Sequence, residues 1–68
     1  MNKTLYYIAE EVSDRLGCSI EKAIDIVEHS FLPTLLKDIP DYVQHYTADY
    51  WAVQIVADYT KGDNKNDR

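Results

Sequence analysis

Cysteine occurs once in this chain of 68 residues, at Cys18, so no disulfide framework can staple it. The lone thiol, half-buried as small filler at a helical corner beside Gly17, fits a reducing compartment. The two glycines, Gly17 and Gly62, lie far apart and form no phosphate-cradling loop. No apolar run approaches the ~20 residues of a membrane span. The opening MNKTLYYIAEE has Glu10 and Glu11 where the apolar region of a signal peptide would continue. A cytoplasmic protein is therefore expected. Basic residues are also scarce: seven Lys and Arg face twelve acids, and Lys61, Lys65 and Arg68 fall in the last eight positions. Phosphate backbones are bound by clustered Lys and Arg, and the body of the chain has no such cluster. Nucleic acid and anionic membrane surfaces are thus not expected as partners.

What is present reads as helix. Leu5, Ile8, Val12 and Leu16, widened by Ala9, form a stripe at three-four spacing over residues 2–16. Gly17 follows where a left-handed cap is wanted. Tyr6 and Tyr7 are adjacent, so both cannot face one core. Ser19 opens a second helix with Glu21 in its first turn, and Ile20, Ala23, Ile24, Val27 and Phe31 make its stripe. Ile26 falls off that stripe and marks a second contact surface. Pro33 and Pro40 bracket a short helix over residues 34–38, with breaks expected at Leu32 and Ile39. Residues 41–45 read as another turn or the start of a longer helix. Thr47 caps a last helix whose stripe is Ala48, Trp51, Ala52, Ile55 and Tyr59, ending between Thr60 and Gly62. The expected architecture is all-α: one domain over residues 1–60, three main helices plus a short Pro-bracketed one, and a disordered tail over 61–68.

Three constellations bear on chemistry. Asp25 with His29, Asp41 with His45, and His45 with Asp49 each stand one helical turn apart, a spacing that can chelate a divalent ion. No helix carries two histidines and no second cysteine exists, so no metal or other cofactor is expected. Cys18 with His29 or His45 is the one nucleophile-base combination, and a body this small has little room for a water-excluding pocket. No catalytic residue is assigned, and the chain is read as a non-enzyme. The stretch IAEEVSDRLGCSIEKAIDIV has the form of a helix-turn-helix. Its second helix would present Glu21, Lys22, Asp25 and Glu28, and acids repel phosphates. A transcription-associated helix-turn-helix protein is therefore the alternative reading.

The aromatic residues carry the leading one. Tyr42, Tyr46 and Tyr50 recur at steps of four and would line one side of a continuous helix, with Trp51 beside them. Tyr and Trp bury large areas at small entropy cost while keeping a polar tip, which suits an interface. Small scaffolds without disulfides or metals also gain stability by associating. The four residues are therefore expected at an interface with a protein partner or a second copy, the latter as a homodimer; Trp51, which also lies on the stripe of the last helix, fits the domain's own core equally well.

The layout resembles an uncharacterised family of small bacterial proteins encoded beside an ADP-ribosyltransferase-like companion gene, in toxin–antitoxin style. The similarity lies in the first amphipathic helix, in Leu16-Gly17-Cys18-Ser19-Ile20-Glu21-Lys22-Ala23 opening the second, in Val43-Gln44-His45, and in Tyr50 to Val56 of the last helix. It covers about residues 5–59. Where the family has His-Thr-Gln and a following glycine, this chain has His45-Tyr46-Thr47 and Ala48. The resemblance implies a non-enzymatic, partner-binding role of antitoxin-like or regulatory kind.

Overall fold

The capping residues set where each helix starts and stops. Asn2 accepts a hydrogen bond from the Thr4 amide at 2.7 Å and opens α1, Lys3–Leu16. Gly17 ends it in the left-handed region, φ 67° and ψ 32°, with its amide donating to the Ser13 carbonyl. That carbonyl also accepts from the Cys18 amide, while the Ser13 hydroxyl donates to the Cys18 carbonyl at 2.6 Å. A single serine thus closes the corner. Ser19 accepts from the Lys22 amide and opens α2, Ile20–Glu28. The computed structural model describes the backbone of residues 2–65 and the side chains of residues 2–61.

Three further helices follow: α3, Leu32–Asp38; α4, Pro40–His45; and α5, Ala48–Lys65. Each proline stands in the first turn of its helix, where its missing amide and fixed φ cost nothing. Ile39 breaks the chain between α3 and α4 at φ −137° and ψ 65°. Leu32, expected as a break, instead begins α3; Ser30 makes this possible by donating to the Val27 carbonyl and accepting from the Leu32 amide. The described residues contain no strand, and the fold is all-α. α5 runs to Lys65, past the expected stop, because extending an existing helix is far easier than starting one. Residues 66–68 of the expected tail lie outside the described residues.

α1 is the spine, packed against α2 on one side and α5 on the other. Its Leu5, Ile8, Ala9 and Val12 are buried, as the stripe predicts. α2 contributes Ala23, Ile26 and Val27; α3 adds Leu32, α4 adds Val43, and α5 adds Trp51, Ala52 and Ile55. Ala9, Ala23 and Ala52 are fully buried, and their short side chains let three helices approach closely. Ile26, off the main stripe, is buried and lines a groove shared with Ile55 of α5. Phe31 does not extend the α2 stripe: the helix stops at Glu28, three residues earlier, and Phe31 stays 38% exposed. Tyr59 is also exposed, and Cys18 is half-buried against the core. No buried side-chain nitrogen or oxygen among the described residues lacks a hydrogen bond.

Candidate functional site

The break after α4 builds the aromatic ledge. Tyr46 is extended, φ −107° and ψ 160°, so α4 stops at His45. Thr47 then accepts from the Tyr50 amide at 3.2 Å and restarts the chain as α5. Tyr42, Tyr46 and Tyr50 are therefore not one row on a continuous helix, as their spacing suggests. The corner brings them together all the same. Tyr46 stacks on Tyr50, with ring centres 4.3 Å apart and planes 19° from parallel, and meets Tyr42 edge-on at 5.5 Å. The third step of the Asp/His spacing, His45 to Asp49, crosses the same break and is not a helical turn.

Trp51 lies beneath these rings. It is 4% exposed, so of the four residues expected at an interface it alone presents almost no surface. The correction has a plain cause: Trp51 follows the α5 stripe into the core. Its indole N–H donates to the Val43 carbonyl at 2.8 Å, giving the polar tip a buried partner. Tyr42, Tyr46 and Tyr50 approach the indole at 6.0, 5.8 and 4.9 Å, edge-to-face, and Phe31 at 6.3 Å. Such ring pairs add ~0.5–1.5 kcal/mol each beyond area burial. One indole thus orients four rings, and Tyr42 and Tyr46 still keep 47% and 37% of their surface in solvent. Tyr50 is half-buried. The Tyr42 hydroxyl is held above its ordinary pKa, first by the neighbouring Tyr46 phenol and then by partial desolvation.

Beside the ledge runs a groove of about 210 Å³. Ile8, Val43, Ala48 and Trp51 form its apolar wall, and Thr4, Tyr7, Gln44 and Tyr46 its rim. Tyr7 thus borders the ledge beside Tyr46, and Phe31 packs on the same indole that holds the tyrosines, although neither stood out as a site residue in the sequence. The adjacency of Tyr6 and Tyr7 was the available signal for the first. No sequence signal marked the second, because α2 stops at Glu28 and Phe31 falls in the connection before α3.

The other candidate chemistry disperses. Among the described residues no group of three or more His, Cys, Asp or Glu side chains is placed to hold a metal ion. His29 caps α2 instead, its Nδ1 2.9 Å from the Asp25 carbonyl oxygen and 3.3 Å from the Asp25 carboxylate. The Asp25 backbone bond, then the Asp25 charge, raise its pKa above 6.5. His45 sets its ring edge-on to Tyr46 at 5.0 Å. Arg15, in the last turn of α1, forms an ion pair with Asp49 in the first turn of α5, each charge suiting its helix end. The outer face of α2 carries Glu21, Lys22, Asp25 and Glu28, all exposed. No helix among the described residues is long and apolar enough to cross a membrane. No protein-family model, curated protein or solved structure matches the chain.

Proposed function

We propose that this chain is a non-enzymatic, acidic protein-interaction module whose ledge of Tyr42, Tyr46 and Tyr50, continued by Tyr7 and Phe31, is covered by another polypeptide. One observation carries the reading: the core closes over Trp51, yet the rings around it remain open to solvent. Rings locked against a buried anchor lose little further entropy on binding, which is what an interface residue needs. The occupant is a protein partner or a second copy. The resemblance to small proteins encoded beside an ADP-ribosyltransferase-like companion adds an antitoxin-like or regulatory role in the cytoplasm.

The cap geometry of Gly17 and Ser19 favours a second reading, a helix-turn-helix pair in a transcription-associated protein. The acids on the outer face of α2 weigh against docking on phosphates.

Replacing Tyr42 with a photo-crosslinking phenylalanine in cells tests the first reading. A discrete polypeptide adduct is expected from position 42 and not from position 10 on α1. No adduct from position 42, or the same adducts from both positions, ends it.

A further inference from the structure

The charges around the ledge select its occupant, given the interaction-module reading on which this step rests. From Asp38 to Tyr50, the stretch that holds the three tyrosines, the chain has no lysine or arginine and carries Asp38, Asp41 and Asp49; Asp58 lines a separate groove with Ile26 and Ile55. Asp49 is engaged by Arg15. Asp41 stands exposed in the first turn of α4, next to Tyr42, and forms no ion pair among the described residues. Tyrosine faces attract cations, and a planar guanidinium can lie on a ring while bonding a carboxylate, which an ammonium does less well. The neighbouring groove, walled by Ile8, Val43, Ala48 and Trp51, has room for an aliphatic side chain. A second copy fits this charge pattern poorly. A two-fold contact would set Asp41 and its neighbours against the same acids on a chain of equal net charge, −5.

We infer that the ledge binds an arginine-bearing basic segment of a different protein, with an aliphatic side chain in the groove and a guanidinium over Tyr42 and Tyr46 against Asp41.

The only tryptophan, Trp51, touches the ledge rings, so its emission reports occupancy. The full chain is titrated with a synthetic amphipathic Leu–Arg peptide and with the same peptide carrying Glu for Arg. A saturable change is expected with the first and none with the second, weakening as salt screens the contact. Asp41→Lys and Tyr46→Ala should each raise the Kd about tenfold or more. Glu10→Lys, the same charge change beside a different groove, should raise it less than about threefold. Circular dichroism establishes that the variants keep their helix content, and Asp41→Asn repeats the test with a milder change. Absence of a saturable response, equal binding of the Glu peptide, or equal losses from Glu10→Lys and Asp41→Lys overturns the inference. A position-42 adduct of twice the chain mass also overturns it while leaving the interaction module standing. No adduct at all removes the module itself.

Discussion

The Val43 carbonyl lies in the last turn of α4, where helical carbonyls run out of amide partners, and the Trp51 indole fills that need at 2.8 Å. Trp51→Phe keeps a ring in the core but orphans this buried acceptor. The expected loss is about 2–3 kcal/mol by urea denaturation, combining the unsatisfied carbonyl with a small cavity. The near-ultraviolet signal of the tyrosines should weaken as well, because the anchor that orients them is gone. His29 acts on a different scale of pH. Its hydrogen bond to the Asp25 carbonyl, followed by the Asp25 charge, raises its folded pKa above the ordinary 6.5. A raised histidine contributes stability that is complete below the unfolded value and is lost as pH rises through the folded one. Wild type should therefore melt above His29→Gln at about pH 5.5, with the gap closing by about pH 8.5. A gap that widens with pH would contradict the capping role.

At the level of helices, what could be read in advance divides by the range of the force involved. Ser19, Gly17 and Thr47 act on amides and carbonyls within a few residues, so sequence alone locates them, and the α1 stripe follows from spacing; Asn2, read as part of the helix, proves to be its cap. Ile26 and Phe31 were harder to place. Ile26 is buried beside a groove it shares with Ile55, a placement its position off the stripe does not reveal, and Phe31 is exposed because α2 stops short of it. The tyrosine row shows the same limit. Its members do meet, but through the corner at Tyr46, a tertiary outcome that periodicity misreads as continuous helix. Burial of Trp51 follows from the α5 stripe, but its indole's partner, the Val43 carbonyl, needed the position of α4, which pattern does not supply. The fully buried Ala9 lies on the α1 spine, where side-chain size limits how close its neighbours come. Ala9→Leu changes helix propensity little, leucine ranking just below alanine, yet should cost about 1–3 kcal/mol through overpacking. Thermal melting checks it: a stabilised variant would mean that α1 has space beside Ala9.

For the molecule as a whole, stability and partner binding are one question. A domain of this length holds only ~3–10 kcal/mol in total, at roughly 0.05–0.15 kcal/mol per residue. Anything that binds the folded form alone adds to that by mass action, ~2.7 kcal/mol at a hundredfold excess over Kd. In a domain this small each kcal/mol moves Tm by ~4–8 °C, so coverage of the ledge should raise Tm by ~10–20 °C. The two possible occupants then separate in a single measurement. If a second copy covers the rings, Tm climbs with the chain's own concentration, as for any associating protein. If the occupant is a basic segment of another protein, Tm is flat across a hundredfold range of chain concentration. It then rises when the Leu–Arg peptide is added, and the rise shrinks in the Tyr46→Ala variant. The second pattern is expected, because the net charge of −5 on each copy opposes self-association while the tyrosines and Asp41 favour a cation. A Tm that tracks chain concentration and ignores the peptide would assign the ledge to a homodimer instead.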